Sequence, residues 1–301
     1  MSLPDSMHVL QRGWLSSNNI LFTGGGQSAL VDSGYGTHAP QTLELVAHLL
    51  RGRKLELLVN THIHSDHCGG NAALQLAYGC HTLIPEAEAL AVRDWDEAAL
   101  SYVATGQQCP RFGFDATIAD GDLLMLGELE WQVLAAPGHD PHSVILYCPA
   151  ERLLISADAL WENGFGVIFP ELEGESGFAE ARATLERIAG LDVRLVIPGH
   201  GAPFADVSGA LERAFRRLDY LAADPARNAQ NGIKVLVKFR LLEHRRITLA
   251  ELRQWMRDVP LLVKSNRNHL QMDPDALAEW TAAQLVKAGA AVVEGGMLVD
   301  C

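Results

Sequence analysis

The sequence predicts an α/β protein of four layers, two sheets face to face with helices on their outer faces, followed by a small, mostly helical domain. Three observations carry that expectation. Short runs rich in Leu, Ile and Val fall into an early and a late group, and apolar residues at helical spacing lie between and after them. Beyond the polar, proline-containing segment Asp224-Pro225-Ala226-Arg227-Asn228 the charge balance changes sign. Residues 226–301 carry 11 Lys and Arg against 8 Asp and Glu, whereas the rest of the chain carries 13 against 29. The expected domains are therefore 1–225 and 226–301.

In chain order, residues 20–22, 28–32 and 55–60 read as strands bounded by Gly or polar residues, with 23–26 a turn. Residues 40–50 read as a helix: Pro40 suits a first helical turn, and Leu43, Val46, Ala47 and Leu50 repeat at helical spacing. A second helix is expected over 71–78, with a short strand at 81–85. Residues 95–103 read as helical and 106–114 as a loop. The second strand group covers 123–126, 130–135, 143–147 and 152–156. Two amphipathic helices, 178–189 and 207–222, enclose a strand at 194–197 that ends in Pro198-Gly199-His200. The tail reads as helices over 232–244, 249–258 and 273–288, with Thr248 and Asp273 as N-caps. Two apolar runs around Glu294-Gly295-Gly296 mark a hairpin.

Composition narrows the function. The 301 residues contain no apolar run of the roughly 18–20 residues that span a bilayer. The N-terminal segment lacks a basic region followed by an apolar one, so a cytoplasmic location without a membrane is expected. Five cysteines, an odd number without a CxxC pair, fit reduced thiols rather than a disulfide framework. Cys68 is read as a passive small residue. A formal charge of −13 opposes general attraction to nucleic acid.

The segment Thr61-His62-Ile63-His64-Ser65-Asp66-His67-Cys68-Gly69-Gly70 holds four metal-ligating side chains within six residues, after the apolar run Leu57-Leu58-Val59. An extended chain alternates its side chains, so His62 and His64 face one side and can share one ion. Asp66 and His67 follow after the chain turns and can serve a neighbouring ion. Gly69-Gly70 permit a tight turn into the next helix.

This segment resembles the HxHxDH signature of the metallo-β-lactamase superfamily. Pro137-Gly138-His139, Ser156-Ala157-Asp158 and Pro198-Gly199-His200, each after an apolar strand, resemble its later ligand blocks. The resemblance implies an αββα sandwich. It also implies two divalent ions: one on His62, His64 and His139, the other on Asp66, His67 and His200, with Asp158 bridging. Imidazole plus carboxylate suits zinc, and also manganese or iron. Asp32 resembles the family's early strand-end aspartate, which sits behind the ligands and orients them. The sequence departs from many relatives in Asp140-Pro141-His142-Ser143, which puts an extra imidazole, His142, near the site as a local hydrogen-bonding residue. The stretch after Asp158 carries Trp161, Phe165 and Phe169, which are expected to line a substrate pocket, and lacks the arginine-containing segment of glyoxalase II.

Two such ions sharing a water supply a hydroxide nucleophile near neutral pH, with Asp66 helping to orient it. The expected reaction is hydrolysis of a small ester, thioester or lactone. A first alternative is a mononuclear iron sulfur dioxygenase, in which His67 and His200 would not be ligands. A second comes from the tail, whose three helices and hairpin resemble a winged-helix module. Lys234, Lys238, Arg240, Arg245 and Arg246 give it a basic stretch, and RNA cleavage follows if that stretch binds RNA. The preferred role of the tail is to shape the substrate pocket or to make a homodimer contact.

Overall fold

A computed structural model describes residues 3–301. The early strands β1 (Met7–Leu10), β2 (Asn19–Phe22), β3 (Ala29–Val31), β4 (Leu57–Val59), β5 (His81–Pro85) and β6 (Ala116–Ile118) form one sheet in that order. The first three are antiparallel, and β3 through β6 run parallel. The late strands β7 (Leu123–Leu126), β8 (Leu129–Ala135), β9 (Val144–Cys148), β10 (Leu153–Ala157) and β11 (Leu195–Pro198) form a second sheet, in the order β11-β10-β9-β8-β7. Only β10 and β11 are parallel in it.

Strand alternation sorts the apolar residues into layers. Ile20 and Phe22 face the second sheet and pack with Trp131, Val133, Leu146 and Ile155. Between them Leu21 faces the other way, onto Val46 and Leu50 of the helix Ala39–Leu50. On the far side Leu134, Ile145 and Leu154 meet Leu185, Ile188 and Leu218 of the helices Phe178–Ala189 and Val207–Ala222. The result is the expected four layers, helix–sheet–sheet–helix. Parallel strands need both faces covered, which is why Leu57, Leu58 and Val59 are all buried.

The tail packs a third core. The helices Pro225–His244, Leu249–Asp258, Pro260–Ser265 and Pro274–Lys287 surround it with a small sheet of β12 (Arg246–Thr248), β13 (Ala291–Glu294) and β14 (Met297–Asp300), β14 in the middle. Thr248 and Glu251 form a reciprocal capping box, and Asp273 caps the last helix, as their positions predict. The first tail helix starts at Pro225, seven residues before the sequence expectation, because Asp224 accepts a bond from Ala226 N and caps it. Val167 and Leu172, from the segment after β10, are buried in this third core with Ile233 and Leu236.

One element differs in kind. The helix expected over 95–103 is broken: Trp95 and Ser101 are left-handed, at φ of 56° and 63°, and helices occupy Ala89–Asp94 and Tyr102–Thr105 instead. The Asp96 carboxylate accepts from Ala98 N and Ala99 N, and the Trp95 ring packs 5.5 Å from that of Phe112. A local hydrogen-bonding turn and an aromatic cluster outweigh helical periodicity there. Strands β1 and β6, and the short helices Phe169–Glu173 and Pro260–Ser265, are additional to the sequence expectations.

Because the tail core includes Val167 and Leu172, the two parts of the chain share packing. Leu172→Ala is expected to cost about 2–5 kcal/mol and to leave one cooperative unfolding transition in urea. A separate early transition of the tail, followed by fluorescence and circular dichroism together, would contradict shared packing.

Candidate metal centre

The candidate metal-binding side chains stand in short segments that follow strands. After β4 the chain runs extended through Thr61 to His64 and then enters the one-turn helix Ser65–Cys68, which carries Asp66 and His67. His139 follows β8, Asp158 follows β10 and His200 follows β11. Asn18 ties the last loop down, its side-chain amide donating to the carbonyls of Pro198 and Gly201. All seven predicted residues converge. Their ligating atoms form three overlapping groups, each within 4.8 Å: His62, His64 and His139; His62, His67 and Asp158; Asp66, His67 and His200. Asp158 lies between the outer groups, with Oδ1 3.5 Å from His67 Nε2 and 3.8 Å from His200 Nε2, and Oδ2 3.4 Å from His139 Nε2.

The hydrogen bonds behind these groups decide which nitrogens keep a lone pair. His139 Nδ1 lies 2.5 Å from the carbonyl of Val167, which can only accept, so Nδ1 carries the proton and Nε2 points its lone pair into the cluster. His67 Nδ1 donates in the same way to Asp32 Oδ2 at 2.8 Å, leaving Nε2 free. His67 Nε2 and His62 Nε2 are buried and have no hydrogen-bond partner among the described residues. His64 Nδ1 stands 2.8 Å from His139 Nε2, while its Nε2 is 3.5 Å from the Asp140 carboxylate. A neutral His64 has one proton for these two positions, so one acceptor is left facing another. A cation among the nitrogens removes that conflict, and imidazole with carboxylate is a donor set that divalent zinc, manganese and iron all accept. The residues present therefore fit a metal.

Electrostatics agree. Burial, and then the neighbouring imidazoles, hold His62 well below its ordinary pKa, and burial with His64 pushes His139 down to about 4. Both stay neutral and able to ligate near pH 7. Burial opposes a proton on His67, but Asp32, Asp158 and Asp66 outweigh it and raise its pKa. Burial likewise opposes charge on Asp158, and the surrounding histidines overcome it, holding the carboxyl well below its usual range. The pocket thus sets the neutral imidazoles of His62 and His139, and a His67 on which a proton is favoured, among anionic oxygens.

Asp32 lies behind the histidine cluster. It accepts from Thr61 N at 2.9 Å and Thr61 Oγ1 at 2.8 Å while holding His67. His142 is half exposed and bonds Glu88 at 2.8 Å, and its backbone N–H donates to Asp140. It is a hydrogen-bonding residue at the edge of the site. Trp161 and Phe169 line the pocket, Trp161 donating through Nε1 to Asp158 Oδ1 at 3.2 Å. Phe165 is a correction: it is 4% exposed and packs in the helix-side core, under the guanidinium of Arg217. The irregular chain after Asp158, which forms no strand there, turns it inward. Cys68 is buried, as expected of a passive residue.

Three contributors escaped sequence reasoning. Trp14 stacks on His200 with ring centroids 5.5 Å apart and planes 5° apart. Asp140 stands against His64, and Gln107 enters the pocket from the 106–114 loop. Asp140 had a signal, since it directly follows His139, where many relatives carry Thr. Trp14 and Gln107 lie in irregular segments without one.

Fold and site together define a metallohydrolase-type scaffold with a buried histidine–aspartate centre. The chain belongs to the metallo-β-lactamase superfamily, whose family model matches residues 12–200. It is 30% identical over 168 residues to a hydroxyacylglutathione hydrolase of Rhizobium etli, covering 56% of each chain. It is 28% identical over 244 residues to the human acyl-coenzyme A thioesterase MBLAC2, covering 71% of this chain and 83% of that one. The chain spans about half the length of the hydroxyacylglutathione hydrolases it matches. Among solved structures, the Thermus thermophilus metallo-β-lactamase family protein TTHA1429 aligns over the whole of both chains, with a TM-score of 0.60 at 21% identity. The B3 metallo-β-lactamase BLEG-1 covers 68% of this chain and 96% of its own, with a TM-score of 0.57 at 20% identity.

Removing Asp32 leaves the His67 Nδ1 proton without its acceptor and frees the ring. Asp32→Ala is expected to weaken metal binding about 10- to 100-fold with the fold retained. Competition with a chromophoric chelator measures it, and unchanged affinity would refute an orienting role.

Proposed function

We propose that the chain is a binuclear metal-dependent hydrolase that cleaves a small thioester or related ester. The observation that carries this reading is the pair of outer donor groups with Asp158 between them. His62, His64 and His139 would hold one ion, Asp66, His67 and His200 the other, and Asp158 both. When bound, the ions supply Lewis acidity and an activated water.

The protein's own groups do the rest. Asp66, 3.1 Å from His200 Nε2, holds its ring and orients the nucleophile. Asp32, Val167 O and Asp140 fix the imidazoles behind the centre. Trp14, Trp161 and Phe169 wall the pocket with apolar surface, which lowers the local dielectric and strengthens every charge interaction within it. Substrate class draws support from the relatives, whose names describe hydrolysis of an acylglutathione and of acyl-coenzyme A. We read the tail as a winged-helix-like module, consistent with its helices and three-stranded sheet, that shapes the pocket.

The alternatives draw less from the geometry. A mononuclear dioxygenase leaves His67 and His200 idle, yet both point their Nε2 atoms at Asp66 and Asp158. The basic stretch of the tail is largely spent on internal pairs: Asp300 takes Lys238 and Arg245, each at 2.5 Å, and Arg240 pairs with Glu243. Cations engaged in this way are less free to release counterions on RNA.

Metal analysis of protein purified without chelators tests the reading, with about two divalent ions per chain expected. His64→Ala and Asp158→Ala are each expected to lower metal content and to reduce kcat/KM on acyl thioesters by more than about 100-fold, beyond what residues behind the ligands cost. Full activity with normal metal content in either variant would refute the assignment. A single iron per chain, with oxygen consumed on a persulfide, would replace it with the dioxygenase.

A further inference from the structure

The metal pocket opens into a second cavity whose chemistry differs from the rest of the molecule. Trp14 and Trp161, the two rings packed against His200 at 5.5 and 5.4 Å, also form the inner end of a groove of about 540 Å³. Val235 and Phe239 of the helix Pro225–His244 line both spaces, so the groove continues the pocket. Its walls are apolar, and Trp14 is 55% exposed. Among the described residues it is lined by three lysines and no carboxylate, in a chain with 37 Asp and Glu.

The three lysines are not equivalent. Lys238 is held by Asp300 and by the carbonyl of Ala290. Lys234 and Lys287 have no ion pair or side-chain hydrogen bond among the described residues, one standing on each of the two tail helices that flank the groove. Burial, and then the nearby Arg217, lower the pKa of Lys234, the response of an ammonium that lacks a counter-ion. A second cavity, of about 340 Å³, leaves the metal pocket past His64 and Phe169. Among the described residues it is lined by Glu88, Asp140, Glu173 and Glu175 with no Lys or Arg, although Glu88 is paired with His142 and Glu173 with Lys264. The two exits from the centre thus differ in lining: lysines without carboxylates in the groove, carboxylates, some of them paired, in the other.

We propose that the groove holds the leaving-group half of the substrate, a thiol carrier with an apolar or amide stem whose far end is anionic and is bound by Lys234 and Lys287. The stem lies along Trp14, Val235 and Phe239, and the acyl half lies toward His64 and Phe169. This rests on the thioesterase reading, which it deepens by fixing the direction and charge of the carrier. Phosphate and carboxylate carriers share the required chemistry, and a free ammonium pair accepts either.

Binding, not turnover, is the test, so that the two readings fail separately. The metal-loaded full-length protein is titrated calorimetrically with three non-hydrolysable thioethers: S-butyl-coenzyme A, S-butyl-glutathione and neutral S-butyl-pantetheine. At least one anionic thioether is expected to bind about tenfold or more tightly than the neutral one, the worth of a charge-assisted contact. That advantage should fall as salt rises and disappear in K234Q/K287Q, whose affinity for the pantetheine thioether should match that of the unaltered protein. Quenching of Trp14 emission, lost in Trp14→Phe, would place the ligand in the groove. Which anionic thioether shows the preference identifies the source as phosphate or carboxylate. Equal binding of all three, absence of binding, or a preference that survives K234Q/K287Q would overturn the proposal. Binding as expected without turnover of any acyl thioester would overturn the thioesterase reading and keep the groove as an anion site.

Discussion

Lone pairs crowded into a buried space repel one another, and the whole centre is organised around that repulsion. His62 and His67 each present a buried nitrogen with no partner, and Asp158 pushes an anionic carboxylate between the rings. Without a cation the unpartnered His62 nitrogen carries a desolvation cost of about 1–3 kcal/mol, while the burial of Asp158 and His67 is offset by their attraction for each other and for their neighbours. The bonds behind the site prevent the usual escape, rotation of a ring toward a better donor. Asp32 pins His67 and the Val167 carbonyl pins His139, so the nitrogens stay aimed at one another. Preorganisation of this kind converts stability of the apo protein into affinity for metal.

The backbone bears part of the same burden. Asp32 and Ala157 adopt left-handed conformations, with φ of 58° and 44°. An aspartate tolerates that region and an alanine does not readily, at a cost of about 1–3 kcal/mol. Ala157 lies directly before Asp158, where β10 shifts its register against β11. The irregularity swings the carboxylate out of the sheet and over His67. Gly199, next to His200, has no room for a side chain: a Cβ there would collide with the Asp158 carboxylate and come within 3.0 Å of His67. Strain and close approach at the centre thus fall where β3, β10 and β11 end. A rigid two-sheet core below the site holds these positions against relaxation.

This division explains what could be read from the sequence. Strand and helix positions follow from apolar periodicity, and the seven converging residues stand in short blocks that each follow such a strand. Periodicity reports burial on one element at a time. It therefore could not show that Trp95 turns away to join Phe112, that Phe165 faces the core rather than the pocket, or that the first tail helix extends back to Asp224. Trp14 is the clearest loss. It lies in an irregular segment with no local pattern, and only the tertiary fold sets it flat against His200.

The tail shows the same limit from the other side. Its helices, caps and hairpin were legible, but their consequence was not, because it arises between the two parts of the chain. Burying Val167 and Leu172 in the tail core fixes the segment that supplies the Val167 carbonyl to His139. The same packing brings Val235 and Phe239 against the metal pocket. One set of apolar contacts thus positions a ring of the centre and closes the wall of the cavity beside it. The sign of the tail's charge, weak when spread over 76 residues, acquires meaning there: Asp300 is shared by Lys238 and Arg245, Glu243 takes Arg240, and Lys234 and Lys287 stand at the groove without an ion pair among the described residues.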